Sequence, residues 1–199
     1  MQAIDNLIRY SLGRLNLLTF VHTLLVQFLD TPLSFVQGYQ HLMLVGPPGS
    51  GKSQYSNVLA QLYGALCIVA DVDIKDGVAR VKEKFPSDFI ATYVGQTAPQ
   101  TRDILVQSLE KVLLIDEAYG LTETGSSGKN KDDSYGHEAV NEIVSFLSTH
   151  MGQMIVIAAG YKEEMVKFRT SNVGLARRIP RVIQLAAIDG STATRAFEL

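Results

Sequence analysis

Four apolar residues, Leu42-Met43-Leu44-Val45, run directly into Gly46-Pro47-Pro48-Gly49-Ser50-Gly51-Lys52-Ser53, and the helix-like stretch SQYSNVLAQLYG follows. No other feature restricts the fold as tightly. A buried strand delivers the loop, glycines let successive backbone N–H groups turn inward around an anion, and a helix opening at Lys52 aims its positive end at the same point. The GxxxxGKS spacing adds a lysine ammonium that reaches β- and γ-phosphates and a serine hydroxyl that can ligate Mg²⁺. An accidental glycine-rich turn would lack the strand before it and the helix after it. The expectation is a nucleoside triphosphate held by Gly46, Pro47, Pro48, Gly49, Ser50, Gly51, Lys52, Ser53 and Gln54, with Mg²⁺ on Ser53.

Strand and helix patterns alternate beyond this point, which implies a parallel sheet covered by helices on both faces. Strands are expected at 42–45, 66–70 (LCIVA), 112–115 (VLLI), 154–159 (MIVIAA) and 181–185. Helices are expected from Lys52 to about Gly64 and around 87–92, 98–110, 137–150 and 162–169, with two more helical stretches before the first strand. The segment 122–136, TETGSSGKNKDDSYG, reads as an exposed loop. A chain of 199 residues makes one such α/β domain with little left over. The expected division is a helical segment 1–38, a core 39–186 and a tail 187–199.

Charge and cysteine content narrow the surroundings. A net charge of -2 and pI near 6.1 supply no general pull toward nucleic acid. The single cysteine, Cys67, excludes an internal disulfide and fits a reducing, cytoplasmic setting, and its place in ALCIVA suggests a buried position. The apolar stretch 15–29 is interrupted by Asn16, His22 and Gln27 and falls short of the roughly 20 residues of a bilayer span. Leu15, Leu18, Val21 (or His22), Leu25 and Phe28 recur at helical spacing, so it reads as a helix packed on the domain with His22 a packing residue, the alternative being a helix that docks a partner or lies on a membrane surface.

The strand VLLI ends in Asp116-Glu117, about 60 residues beyond the phosphate loop. An acid at a strand end can hold Mg²⁺ opposite the loop serine, and the adjacent glutamate can polarise an attacking water as general base. Two acids after an apolar run are common, but at this distance from GxxxxGKS they complete a hydrolytic site. A nucleotide kinase has no use for an activated water, and no LSGGQ-like segment suggests a transporter ATPase.

Further segments bring a resemblance into view. YVGQTAPQTRDIL (93–105), IDEAYGL (115–121), YGHEAVNEIV (135–144), IVIAAGYKEEM (155–165) and SNVGLARRI (171–179) run in the order seen in AAA+ ATPases. The chain looks most like the branch holding the CbbX-type Rubisco activases, the stage V sporulation protein K group and the type VII secretion ATPases. The resemblance covers roughly 41–185 and implies the P-loop NTPase fold of the AAA+ large subdomain, with about five parallel strands in the order 5-1-4-3-2. It further implies ATP and Mg²⁺ as cofactors, a homo-oligomeric ring (hexameric in the family) and a protein substrate, with nucleic acid disfavoured. In such rings an aromatic–aliphatic–glycine triplet grips polypeptide in the central pore, and Tyr93-Val94-Gly95 matches it. A neighbour's arginine completes each site, and the family arginine aligns with Arg178, with Arg177 beside it as reserve. The fourth strand's end, where many relatives place a water-orienting asparagine, carries Gly160-Tyr161, so Tyr161 joins the candidate nucleotide residues. The catalytic set is thus Glu117, Lys52, Arg178 and Arg177, with metal on Ser53 and Asp116.

Two departures accompany the resemblance. After Leu185 only AAIDGSTATRAFEL remains, too short for the helical lid that family members place there. The residues before Leu42 do not match the usual adenine-contacting segment. These keep open a nucleotide-binding regulatory or assembly subunit with little turnover, and, against the charge balance, a helicase or helicase loader.

Overall fold

The computed structural model describes residues 15–70, 73–75, 78–122 and 132–187. Its elements are α1 (Leu15–Asp30), α2 (Pro32–Gln37), β1 (Leu42–Val45), α3 (Lys52–Ala65), β2 (Asp73–Lys75), β3 (Val78–Arg80), β4 (Lys82–Lys84), α4 (Pro86–Phe89) and α5 (Thr97–Val106). Then come β5 (Val112–Ile115), a 3₁₀ turn (Ala118–Leu121), α6 (Asp132–Thr149), β6 (Ile155–Gly160), α7 (Lys162–Ser171), α8 (Val173–Arg178) and β7 (Arg181–Gln184). Five strands form a parallel sheet in the order β4-β5-β6-β1-β7. Counting these five in chain order, this is 2-3-4-1-5, the expected order read from the other edge.

Alternation along β1 sorts the core into two layers, because successive side chains leave a strand on opposite faces. Leu42 and Leu44 pack with Val21, Leu24, Phe35, Tyr55, Leu59 and Leu62 from α1, α2 and α3. Met43 and Val45 pack with Phe89, Leu105, Val140, Phe146, Phe168 and Leu175 from α4 to α8. A strand covered on both faces can be apolar at every position, which is why LMLV, VLLI and IVIAAG read as unbroken runs. Each fully buried leucine or isoleucine stabilises the fold by about 1.5–3 kcal/mol.

The second expected strand is a correction. Residues 66–70 are not a strand; the edge strand is the polar β4, Lys82-Glu83-Lys84. LCIVA instead closes α3: Cys67 takes φ +55°, its N–H donates to Gly64 O at 3.0 Å, and Ile68 N–H reaches back to Tyr63 O at 2.9 Å. This is the left-handed stop that usually falls to glycine, with Ile68 and Val69 buried beyond it. It also leaves Cys67 exposed rather than buried. β4 escapes notice because an edge strand faces solvent on one side and keeps charges that discourage pairing with other chains. β2 and β3 form an antiparallel hairpin where a polar connection was expected.

Smaller differences follow the same logic. Val21 and Leu24 face the core, and His22 is exposed. The helix expected around 87–92 is confined to Pro86–Phe89, and that expected at 98–110 ends at Val106. α6 begins at Asp132, so 132–136 are helical and not loop, while 123–131 lie outside the described residues. Among the described residues, no helix is long and apolar enough to cross a membrane.

The N-terminal helices are tied to β7 through Arg181, whose guanidinium bonds Gln40 Oε1, Tyr39 O (3.3 Å) and Gln27 Oε1 (3.2 Å) and lies over the Phe35 ring. Beside it, buried His41 opens β1. Its Nδ1 accepts the Val156 N–H at 3.0 Å, which makes the ring neutral with its proton on Nε2. Burial first, and Arg181 second, lower its pKa from 6.5 to about 4. The unfolded state therefore binds more protons between pH 4 and 6.5, so the stabilisation is complete above pH 6.5 and is lost as pH falls through that window. Urea unfolding of the wild type is expected to lose roughly 3 kcal/mol across it from this residue. His41→Asn keeps an acceptor for Val156 and does not titrate, so its loss over the same range should be smaller by that amount; an equal loss refutes the assignment.

Candidate nucleotide site

The site is built where β1 ends and α3 begins. Gly51 caps α3 at φ +83°, φ +20° to +160° being a region that glycine enters without steric cost, and no cap side chain bonds the first turn. The helix thus presents free N–H groups at its N-terminus, as an anion site requires. Pro47, Pro48 and Gly49 are exposed and Gly46, Ser50 and Lys52 buried, while Ser53 and Gln54 stand exposed on the first helical turn. Gly46 N–H donates to Gly160 O at 3.2 Å, which stitches the loop to the end of β6.

Lys52 bends back under the loop. Its Nζ donates to Gly46 O at 3.2 Å and Pro47 O at 3.3 Å and sits 5.5 Å from the centre of the Tyr161 ring. The structure thus brings together two candidate residues 109 positions apart. Tyr119, from the 3₁₀ turn after the acid pair, lies against Tyr161 with ring centres 5.8 Å apart. That tyrosine lies in the quoted IDEAYGL segment without having been assigned a role, since only the fold sets it against Tyr161.

The acid pair leaves β5 two strands from the loop, β6 lying between. Asp116 Oδ1 accepts the Glu117 N–H at 3.0 Å, and Glu117 takes φ +52°, a costly conformation for a side chain with a Cβ. Glu117 Oε2 and Ser50 Oγ are buried without a hydrogen-bond partner. Such orphaned oxygens, a helix terminus with unused donors and an ammonium resting on main-chain carbonyls fit a site that takes a hydrated, metal-bound polyphosphate. Among the described residues there is no cluster of three or more His, Cys, Asp or Glu able to hold a metal ion alone.

The Tyr93-Val94-Gly95 tip projects between α4 and α5. Tyr93 is 69% and Val94 75% exposed, and Gly95 has φ +77°. Bonds on both sides hold it: Gln100 Nε2 to Asp88 O (2.6 Å), Thr101 Oγ1 to Phe89 O (3.3 Å), and Ala91 N–H to Thr97 Oγ1 (3.2 Å). Asp88 accepts the Phe85 N–H at 2.8 Å, and that bond, aided by Lys84 and opposed by some burial, holds its carboxyl below the ordinary range. The two arginines differ. Arg178 donates Nε to Ser148 Oγ at 2.6 Å and Nη1 to Gly174 O at 3.2 Å, whereas Arg177 is exposed. No sequence signal marks Ser148 as that anchor.

A phosphate loop between a strand and its helix, with an acid pair at the end of the strand after next in the same parallel sheet, defines a nucleotide-binding P-loop domain. The profile of the ATPase family associated with various cellular activities (AAA) matches residues 42–186, and the chain belongs to that family, which implies nucleotide binding and ATPase activity in general. It is 36% identical over 144 residues to the ESX-2 secretion system protein EccA2 of Mycobacterium tuberculosis, covering 72% of this chain and 22% of that protein. It is 32% identical to EccA3 of the ESX-3 system of Mycolicibacterium smegmatis (76% and 23% covered) and 30% identical to EccA1 of the ESX-1 system of M. tuberculosis (76% and 25%). The chain therefore spans about a fifth to a quarter of the length of these relatives. Of the three groups named for the expected branch, these belong to the type VII secretion ATPases.

Proposed function

We propose that this domain hydrolyses Mg-ATP as one subunit of a homo-oligomeric ring and uses the cycle to pull on or remodel a polypeptide. The observation that carries the reading is the Lys52 ammonium held between the loop carbonyls and the Tyr161 ring beside the uncapped N-terminus of α3, with Asp116-Glu117 leaving a strand of the same sheet. Lys52 and the loop N–H groups bind the phosphates, while Ser53 and Asp116 hold the metal that would neutralise charge on them. Glu117 accepts the proton of the attacking water. Arg178, oriented by Ser148 and Gly174, offers its remaining donors to the next subunit's γ-phosphate, with Arg177 as alternative. Tyr93 and Val94, solvent-facing on a braced tip, suit a grip on extended chain because an aromatic face packs against most side chains. By analogy with the secretion proteins it resembles, the polypeptide handled is proposed to be a component or cargo of a secretion system.

Hydrolysis per subunit, followed over protein concentration, tests the reading. Specific activity is expected to rise with concentration, since each site needs a neighbour, and Arg178→Ala should lose roughly 10³-fold. A loss confined to Arg177→Ala would move the finger to that residue. Tyr93→Ala should keep basal turnover within about twofold and lose stimulation by an unfolded polypeptide such as casein. Mg-ATP binding without turnover at any concentration would refute the motor reading.

A further inference from the structure

The Tyr161 ring does something that a water-orienting hydroxyl does not. It lies under the Lys52 ammonium with Nζ 5.5 Å from the ring centre, while that ammonium spends two donors on Gly46 O and Pro47 O. An ammonium has three donors, so one N–H remains for a phosphate oxygen. A π-face attracts the cation without consuming a donor in a directed bond. The shelf is itself fixed. Tyr119 packs on Tyr161, and Gly160, just before it, is crowded so closely that a Cβ there would lie 2.8 Å from Tyr119 Cδ1 and 2.9 Å from Met165 Sδ. Gly160 also accepts the Gly46 N–H, so loop and shelf share one anchor.

We propose that Tyr161, backed by Tyr119, is a positioning residue that holds the Lys52 ammonium at the mouth of the phosphate loop through its ring face, leaving one N–H for the terminal phosphates of a nucleoside triphosphate. The proposal rests on the nucleotide reading above. It assigns the work to the ring and not to the hydroxyl. A side chain whose ammonium is placed before the ligand arrives loses less conformational freedom on binding.

The test compares Tyr161→Phe, Tyr161→Leu and Lys52→Met with wild type, by calorimetric Mg-ATP binding and by the rate at which acetic anhydride modifies Lys52 in nucleotide-free protein, read by mass spectrometry. Tyr161→Phe is expected to match wild type in both. Tyr161→Leu should weaken Mg-ATP roughly 3- to 30-fold and speed Lys52 modification. On the Lys52→Met background, Tyr161→Leu should have no further effect on binding. Three results would overturn the proposal: Tyr161→Phe behaving like Tyr161→Leu, Tyr161→Leu leaving both readouts unchanged, or losses that simply add on the Lys52→Met background. Wild type that binds no Mg-ATP, with Lys52 still shielded by the ring, refutes the nucleotide reading and supports the ring–lysine contact. Circular dichroism and thermal unfolding identify a variant that has failed to fold; where Tyr161→Leu does, Tyr161→Met, which also lacks a π-face, is read in its place against the same expectations.

Discussion

Glu117→Gln is expected to slow ATP turnover by roughly 10²- to 10⁴-fold while leaving Mg-ATP affinity within about twofold of wild type. The two side chains have nearly the same shape, so packing around the residue is conserved and what disappears is a base. The backbone does not wander there. Glu117 sits at φ +52°, pinned on one side by its own N–H on Asp116 Oδ1 at 3.0 Å and on the other by Gly120 N–H on its carbonyl at 2.9 Å. A non-glycine residue in that region costs of order 1 kcal/mol or more, and such strain persists where surrounding structure imposes it. Here the imposed turn leaves Glu117 Oε2 buried and without a partner, a carboxylate oxygen that a bound water could satisfy. Single-turnover hydrolysis, read beside nucleotide binding, separates the two effects. Unchanged turnover would remove Glu117 from the chemistry; lost binding would make it part of the cradle.

Gly136→Ala should destabilise the domain by about 3 kcal/mol, against the sign that helix propensity alone dictates. Inside a helix, alanine normally gains about 1 kcal/mol over glycine. At this position, however, a Cβ would lie 2.1 Å from Leu121 O and 3.0 Å from its carbonyl carbon. Both are main-chain atoms of the 3₁₀ turn, which cannot rotate away like the end of a flexible side chain. Either α6 lifts off the turn or the turn shifts, and the turn carries Tyr119 and closes the acid pair's loop. Overpacking therefore outweighs propensity. The lowered urea midpoint is to be read beside Ser145→Ala, an exposed substitution on the same helix expected to change stability by less than about 0.5 kcal/mol. A Gly136→Ala protein more stable than wild type would show that the close approach does not exist in solution.

Gly136 also explains part of what the sequence hid. Glycine beside serine, aspartate and lysine reads as loop, yet here glycine is the one residue that lets α6 start early against Leu121. The edge strand was hidden for a different reason. Hydrophobic periodicity reports how many faces of an element are covered, so LCIVA looked like a strand although it is a helix stop. Lys82-Glu83-Lys84 looked like loop although it pairs with Leu113-Leu114-Ile115. His22 was misplaced by one position on a helix, which turns a residue through about 100° and from core to solvent.

What the sequence determined by itself is whatever local covalent order can build. A strand, a glycine-bearing loop and a helix in immediate succession can only put Lys52 and free N–H groups around one point, and an acid after an apolar strand must emerge at that strand's end. Only the tertiary structure decided which distant residues meet. The sheet order sets β6 beside β1, and through that pairing Val45 stands level with Gly160 and Tyr161 comes to lie under Lys52. The packing of α8 against α6 likewise gives Arg178 to Ser148 and leaves Arg177 in solvent. Those juxtapositions depend on strand register and helix packing between residues 30 to more than a hundred positions apart, and no local pattern of residue types encodes them.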